Sequence, residues 1–179
     1  MQLTLVTGSA HKLKEWQRQF PAEFNLSSVA LDLPEIQSMD SIQITRDKAR
    51  RAYEAVKSPV LVEDVSAGID KFNGLPGPFI KFFEERLGAG ALYQLAGEET
   101  TATITCTICY YDGTTELFAT GVVHGKITES KGTGGFGFDI GFVPNGKTQT
   151  FAQMDPLEKD TLSHRHLAIV DMVSQLKQL

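Results

Sequence analysis

The eight residues from Gly132 to Asp139 contain four glycines, two phenylalanines and one carboxylate. Glycine loses the most conformational entropy on folding, so a glycine cluster usually marks backbone that bends sharply or approaches another group closely. The ring faces of Phe136 and Phe138, with the acceptor of Asp139, offer a place to hold a flat polar heterocycle. The alternative is a bulged turn whose aromatic side chains fill the core, and composition alone favours this packing interpretation.

A second candidate site follows the first predicted strand, at Thr7-Gly8-Ser9-Ala10-His11-Lys12. Small residues at a strand–turn–helix junction leave backbone N–H groups at the helix start, where those donors and the helix dipole stabilise an anion. Lys12 would add a point charge, and Glu15 lies three residues on, on the same helix face. The alternative is an ordinary helix capped by Ser9, with Lys12 and Glu15 as a surface pair. The segment is not a Walker A loop, so alone it is a weak signal.

Three carboxylates are candidates for holding a divalent cation. Glu63 and Asp64 come directly after the apolar strand predicted at Pro59–Val62, and ligands usually bind at the carboxyl ends of strands in open sheets. Glu35 is a third acid, in an irregular segment. Mg²⁺ takes one or two carboxylates together with substrate phosphates. Two adjacent acids after a buried strand favour this function over acids that only face solvent.

The last polar cluster runs from Lys159 to Arg165 and is predicted to open a final helix at about Pro156–Leu176. Ser163 and His164 are adjacent, and adjacent helical positions do not face a base toward a nucleophile, so the cluster is not a serine-hydrolase pair. Arg165 is better suited to recognition, because guanidinium donors match carbonyl oxygens. The alternative is a hydrophilic helix face.

The predicted secondary structure alternates between strands and helices, and a hairpin follows. We predict strands at Gln2–Val6, Leu26–Leu31 and Pro59–Val62. We predict helices at Ala10–Phe20, from Asp40 or Ser41 to Val56, at Phe79–Leu87 and at Ala89–Leu95. A hairpin is predicted to turn at Asp112-Gly113, with its second arm at Thr114–Ile127. This order indicates an α/β fold with a mixed β-sheet and flanking helices, in one domain spanning residues 1–179. Two isolated cations, Lys48 in the second helix and Lys81 behind the turn at Asn73–Pro78, are more often solvated side chains than ligands.

The composition argues against several classes of protein. Of the 179 residues 41% are hydrophobic, which allows a packed interior, and the net charge of −5 without a basic block argues against nucleic acid as a partner. No apolar run approaches the ~18 residues of a membrane span. No signal-peptide pattern is present, so we expect a cytoplasmic protein with no membrane partner. Cys106 and Cys109 lie three apart in an alternating segment and point to opposite faces of a strand, so we interpret both as structural.

Together, these segments resemble the inosine triphosphate pyrophosphatases, which remove non-standard purine nucleoside triphosphates from the nucleotide pool. The resemblance covers nearly the whole chain and depends on six blocks that fall in that family's order and spacing. The blocks are Thr7-Gly8-Ser9 with Lys12-Leu13 and Glu15, Leu33-Pro34-Glu35, Val62-Glu63-Asp64, Gly74 to Lys81, Gly134 to Asp139, and Ser163-His164-Arg165.

The resemblance implies an elongated fold with two lobes around a central nucleotide-binding cleft, usually as a homodimer. It implies Mg²⁺-dependent hydrolysis of ITP, dITP and XTP to the monophosphate and pyrophosphate. Carried over by position, Thr7, Gly8, Ser9, Lys12 and Lys48 would bind the phosphates. Glu35 and Asp64 would hold Mg²⁺. Asp64 would also act as the general base, and Lys12 and Glu15 complete the catalytic set. Lys81 matches another binding position in the cleft. On the side of the purine, Phe136 would stack on the base, with Phe138, Asp139 and Lys159 beside it. Ser163, His164 and Arg165 complete the binding set, and the last two would read the 6-keto edge.

Three positions depart from the family's usual pattern. Ser9 stands where Asn is usual, Phe138 where Tyr or Trp is more frequent, and Ile140 where Pro is common. None of these removes a charged group, so we expect activity to survive. The departures leave two alternatives open: a nucleotide-binding protein with reduced turnover, and a related pyrophosphatase acting on modified pyrimidine or other nucleotides.

Overall fold

A computed structural model describes residues 1–179. The chain forms β1 (Gln2–Val6), α1 (Ala10–Gln19), β2 (Asn25–Val29), α2 (Ser41–Val56), β3 (Val60–Ile69), β4 (Pro76–Gly77), α3 (Ile80–Leu87), α4 (Ala91–Ala96), β5 (Thr101–Tyr111), β6 (Glu116–Ile127), β7 (Phe142–Pro144), α5 (Pro156–Lys159) and α6 (His164–Leu176). Short 3-10 segments cover Asp70–Phe72, Gly137–Gly141 and Phe151–Gln153.

The seven strands form one mixed β-sheet in the order β2-β1-β3-β5-β6-β7, with β4 added beside β3. Strand β1 is parallel to both β2 and β3, whereas β4 is antiparallel to β3 and β7 is antiparallel to β6. Strands β1 and β2 are joined by a crossover that contains α1, and the chain between β1 and β3 contains α1, β2 and α2, so both parallel pairs have the long connection that parallel pairing requires. The predicted α/β fold with a mixed sheet and flanking helices is confirmed.

Local polar signals fix the predicted helix starts. The Asp40 carboxylate accepts hydrogen bonds from the N–H groups of Ile42 and Gln43, so α2 begins at Ser41. Helix α2 ends before Lys57, whose φ of 57° lies in the left-handed region. At the predicted hairpin, Asp112 accepts from the N–H groups of Thr114 and Thr115, which closes the turn between β5 and β6.

The predicted final helix at Pro156–Leu176 is wrong as one element, because the structure has α5 and α6 with a turn at Asp160–Ser163. The Thr161 hydroxyl donates to the Glu158 carbonyl, and the N–H groups of Leu162 and Ser163 both donate to the Lys159 carbonyl. Side-chain hydroxyls that bond to nearby backbone compete with helix continuation. The predicted cluster from Lys159 to Arg165 therefore belongs to two helices and the turn between them.

A second correction concerns β3, which continues to Ile69 beyond the predicted end at Val62. Glu63 and Asp64 therefore lie inside a strand rather than after one. Both carboxylates are buried, with relative exposures of 2% and 9%. The sequence suggested a strand end because carboxylates are rarely fully buried unless paired, and their partners come from distant parts of the chain.

The chain divides into two compact units, residues 1–64, 106–121 and 165–179 in unit 1 and residues 65–105 and 122–164 in unit 2. Each unit has its own hydrophobic cluster, with Val6, Ala49, Val60, Val62 and Cys109 in unit 1 and Ile69, Leu92, Ile104, Phe142 and Phe151 in unit 2. Cys106 and Cys109 are both free and buried. No helix is long and apolar enough to cross a membrane.

Candidate functional site

The turn before α1 is shaped by its own small polar side chains. The Ser9 N–H donates to Thr7 Oγ1 at 3.1 Å, and the Lys12 N–H donates to Ser9 Oγ at 3.3 Å. Ser9 therefore caps α1, as the capped-helix interpretation required, but the surface pair of that interpretation is wrong, because Glu15 is buried and paired with Arg165. A Cβ added at Gly8 would meet nothing within 4 Å, and Gly8 does not have a positive φ. The fold itself does not require glycine at this position, so the binding of phosphate at this turn stays a prediction that a substitution of Gly8 can test.

Replacing Gly8 with alanine is expected to leave the free energy of unfolding within about 0.5 kcal/mol of the wild type. The added methyl group would occupy space beside the start of α1, so we expect the KM for a nucleoside triphosphate to rise by roughly tenfold. A matched control is Gly146→Ala, where the space is also open but φ is 78°. That change is expected to cost about 1 kcal/mol of stability without changing KM. Unchanged KM in Gly8→Ala contradicts a phosphate site at this turn.

Asp64, Glu35 and Lys48 form a second part of the site in unit 1. Ser41 Oγ donates to Asp64 Oδ2 at 2.8 Å, and Lys48 Nζ lies 2.5 Å from Glu35 Oε1. Burial raises the pKa of Asp64 and the charge of Glu35 adds to the rise, while the Ser41 hydrogen bond and the charges of Lys12 and Lys48 offset only part of it. The Asp64 carboxylate therefore lies where additional positive charge would stabilise its ionised form.

The two carboxylates of this group, Asp64 and Glu35, fit Mg²⁺ as partial ligands. No group of three or more His, Cys, Asp and Glu side chains is arranged to hold a metal ion by itself. Mg²⁺ usually keeps several waters and binds one or two carboxylates with substrate phosphates, so a complete protein cage is not required. The buried Asp64 and the exposed Glu35 are hard oxygen donors of the kind that this ion prefers.

Glu63 lies at the centre of a buried ion-pair network. Arg165 donates to it through Nε at 2.9 Å and Nη2 at 2.9 Å, and Trp16 Nε1 donates at 2.6 Å. Lys12 Nζ lies 3.1 Å from Glu63 Oε1. Burial opposes the charged form of Glu63, but the charges of Arg165 and Lys12 outweigh it and hold the pKa well below its ordinary value. Glu63 is therefore ionised at neutral pH.

Arg165 is enclosed by acidic partners within unit 1. Only 1% of its side chain is exposed, and Nη1 is also paired with Glu15 Oε2. Burial opposes its charge, but Glu63 and then Glu15 raise the pKa of Arg165 well above the ordinary value. The structure thus brings together Lys12, Glu15 and Arg165 from the predicted set. A role for Arg165 in reading a purine stays a prediction. At least three hydrogen bonds from its side chain go to carboxylates.

The sequence predicted Glu63 only as one of three candidate carboxylates for a divalent cation, whereas the structure pairs it with Arg165, Trp16 and Lys12. Its partners Trp16 and Arg165 are 47 and 102 residues away, so no local pattern could identify them. The available signal was an apolar strand that carries a carboxylate at a core-facing position. Such a position predicts a buried cation elsewhere in the chain.

The predicted base-side residues of unit 2 surround the Asp139 carboxylate. Asp139 Oδ2 accepts from the Phe136 N–H at 2.8 Å and from Lys159 Nζ at 2.6 Å. Lys159 Nζ lies 5.3 Å from the centroid of the Phe136 ring and 5.5 Å from that of Phe151, within the range of cation–π attraction. Phe136 is half-buried, whereas Asp139 and Lys159 are buried. One carboxylate thus fixes the backbone at Phe136 and the cation beside its ring.

Phe138 and His164 pack against each other deeper in unit 2. Their ring centroids are 5.8 Å apart and tilted by 49°, and the His164 ring also lies 6.1 Å from that of Phe151. Phe138 is 8% exposed and belongs to the core cluster, so the packing interpretation is confirmed for this side chain. Ser163 is fully buried. Lys81 is exposed on the first turn of α3.

Close contacts within unit 2 explain glycines in the segment from Gly132 to Asp139. A Cβ at Gly134 would lie 2.8 Å from the carbonyl oxygen of Ala152, which accepts the Gly134 N–H at 3.0 Å. Gly135 has a φ of 62°, and a side chain there would collide with the Asp139 carboxylate. The glycine run therefore lets the backbone fold closely around Asp139, leaving the Phe136 ring as its half-buried aromatic surface.

Comparison with known proteins shows the family to which the chain belongs. A family model described as the Ham1 family matches residues 3–175. The chain is 40% identical over 181 residues to an inosine triphosphate pyrophosphatase of Phaeosphaeria nodorum, covering 98% of this chain and 94% of that protein. It is 42% identical over 174 residues to inosine triphosphate pyrophosphatase 2 of Trypanosoma cruzi, covering 94% and 88%.

The fold is also that of solved Ham1 structures. A HAM1 protein from Coxiella burnetii superposes with a TM-score of 0.81 over 100% of both chains, at 24% sequence identity. The fold thus defines an α/β protein with a mixed β-sheet and flanking helices. The chain belongs to the Ham1 family.

Proposed function

We propose that this protein hydrolyses non-standard purine nucleoside triphosphates, such as ITP, dITP and XTP, to the monophosphate and pyrophosphate. The observation that carries the proposal is the buried Asp64 carboxylate. It accepts a hydrogen bond from Ser41, and the charges of Lys12, Lys48 and Glu35 act on it. Anionic and cationic groups in this arrangement suit a polyphosphate with a divalent cation. The names of the relatives and the family membership support the same substrate class.

The phosphate side of the reaction requires charge neutralisation. Lys12 and Lys48 would bind phosphate oxygens, together with N–H groups at the start of α1. Asp64 and Glu35 would hold Mg²⁺, which when bound neutralises phosphate charge and lowers the pKa of coordinated water. Ser41 fixes the Asp64 carboxylate through Oδ2, so Oδ1 is the oxygen we assign to accept the proton of the attacking water. Attack at the α-phosphorus breaks the bond to the β-phosphate oxygen and releases pyrophosphate.

The base side would distinguish purines by the group at position 6. Inosine and xanthosine carry an acceptor oxygen there, whereas adenosine carries an amino donor. The Lys159 ammonium, held beside Phe136 by Asp139, can donate to an oxygen but cannot accept from an amino group. A donor facing a donor leaves both unpaired, which costs about 1–3 kcal/mol for each bond not made. This difference favours ITP over ATP.

Replacing Phe136 with alanine is expected to raise the KM for ITP. Stacking of a base on an aromatic ring is worth about 1–3 kcal/mol, which corresponds to roughly a 5- to 150-fold loss of affinity. Steady-state kinetics with ITP measure the effect, and Phe72→Ala is the matched control, because Phe72 is also partly exposed in unit 2 but does not belong to the aromatic group. Equal KM values for the Phe136 and Phe72 variants would remove Phe136 from the binding site.

Oligomeric state and location complete the proposal. The family resemblance supports a homodimer that acts in the cytoplasm as a single catalytic domain of residues 1–179. Light scattering coupled to size-exclusion chromatography tests the dimer, and a monomer at micromolar concentration contradicts it.

The bond that breaks tests the proposed reaction directly. Hydrolysis of ITP in ¹⁸O-labelled water should give IMP and unlabelled pyrophosphate, with the label in the IMP phosphate. Release of IDP and orthophosphate would indicate a different nucleotidase. Tight ITP binding without either product would favour a nucleotide-binding protein with reduced turnover.

A further inference from the structure

Glu63 contacts both lysines that we assign to the triphosphate, through two different atoms. Its carboxylate oxygen Oε1 lies 3.1 Å from Lys12 Nζ, and its backbone carbonyl oxygen accepts from Lys48 Nζ at 3.4 Å. Lys12 is on α1 and Lys48 on α2, so one strand residue is an anchor shared by two helices. Asp64, the adjacent residue on β3, bonds instead to Ser41 at the start of α2.

The Glu63 carboxylate is fixed independently of Lys12. Arg165 binds both of its oxygens, and Trp16 donates to Oε2. The side chain is 2% exposed, so water does not compete for these hydrogen bonds. Charge-assisted bonds from a planar guanidinium impose direction as well as energy. The oxygen that faces Lys12 is therefore held in place before any substrate arrives.

Lys12, in contrast, is a flexible side chain that remains 23% exposed. A lysine ammonium on a four-carbon stem loses much rotational freedom when it is ordered on a ligand. Contact with a fixed carboxylate restricts that freedom in advance, which lowers the entropy that binding must overcome. The exposed part of Lys12 stays available to an anion.

We propose that Glu63 is a positioning residue that holds Lys12 for the polyphosphate and does not itself contact the substrate. This inference rests on the proposed function, since it assigns Lys12 to phosphate oxygens. The competing explanation is that Glu63 serves only to neutralise Arg165 in the core. That explanation predicts a loss of stability but no special dependence on Lys12.

A double-mutant cycle separates the two explanations. Glu63→Gln and Lys12→Met are made singly and together, and the Kd for inorganic tripolyphosphate in magnesium-containing buffer is measured by calorimetry beside kcat/KM for ITP. If Glu63 acts through Lys12, Glu63→Gln weakens binding in the wild type but changes little in the Lys12→Met background. Coupled neighbours typically show an interaction of roughly 2- to 150-fold.

Lys48→Met provides the matched control. The Lys48 contact is to the backbone carbonyl of residue 63, which glutamine retains. The effects of Glu63→Gln and Lys48→Met should therefore multiply, while those of Glu63→Gln and Lys12→Met should not. Multiplication in both pairs overturns the inference and leaves Glu63 as a core residue only.

Two further observations keep the test decisive. Urea denaturation shows whether each variant is folded, and if Glu63→Gln is not, Trp16→Phe takes its place in the cycle, because it removes one donor to Glu63 and no charge. If the wild type releases pyrophosphate but the cycle is additive, the inference fails and the proposed function stands. If the wild type hydrolyses no triphosphate, the function fails, and the tripolyphosphate cycle still reports on Glu63 and Lys12.

Discussion

Replacing Asp64 with asparagine is expected to lower kcat for ITP by roughly 10²- to 10⁴-fold, which is the usual contribution of a general base. Asparagine keeps the size of the side chain and can still accept the Ser41 hydrogen bond. It removes the negative charge that would hold Mg²⁺ and the oxygen assigned to accept the proton. Steady-state kinetics with ITP measure the loss.

The same substitution is expected to leave the protein at least as stable as the wild type. Burial opposes the charged form of Asp64 and raises its pKa, so above the ordinary pKa of an aspartate this side chain opposes folding, a cost that asparagine lacks. Urea denaturation at pH 7 measures this effect, with Asp47→Asn as a matched control at an exposed pair on α2. Undiminished turnover in Asp64→Asn contradicts the assigned role, and an unfolded variant contradicts the stability argument.

Replacing Arg165 with methionine is expected to destabilise the protein by about 3–5 kcal/mol, the usual cost of removing one partner from a buried ion pair. The Glu63 and Glu15 carboxylates would then be left buried with their main cation gone. Domains of this kind are stable by only about 5–15 kcal/mol, so the urea midpoint should fall markedly.

Two controls define what the Arg165 result means. Lys177→Met breaks the exposed pair with Glu23 and should cost at most about 1 kcal/mol. Arg165→Lys keeps the charge but loses the bidentate geometry, so it should fall between the other two variants. If Arg165 mainly reads the purine, Arg165→Lys should instead lose selectivity for ITP over ATP with little change in stability.

The sequence predicted those parts of the fold that depend on nearby residues. Asp40 starts α2 and Asp112 closes the hairpin, because their side chains bond to backbone two or three residues away. The mixed sheet followed from the order of strands and helices. The turn after Lys159 was missed, because apolar periodicity on both sides of it masked the hydroxyls that interrupt the helix.

The site was predicted as a set of residues but not as an arrangement. Ordered blocks placed Lys12, Asp64, Phe136 and Arg165 in one functional list. The direction of the Arg165 side chain depends on Glu15, 150 residues earlier in the chain, and on Glu63 in a different strand. Long-range ion pairs of this kind form only when the core assembles, so no spacing in the sequence predicts them.

Substrate selectivity distinguishes the proposed function from its alternatives. Pyrophosphate release should be measured for ITP, XTP, ATP, GTP and a pyrimidine triphosphate at equal enzyme and magnesium concentrations. The proposed function predicts a kcat/KM for ITP at least tenfold above that for ATP, which corresponds to about 1.4 kcal/mol of discrimination at position 6 of the base. Equal values for ITP and ATP, or a preference for the pyrimidine, would contradict it.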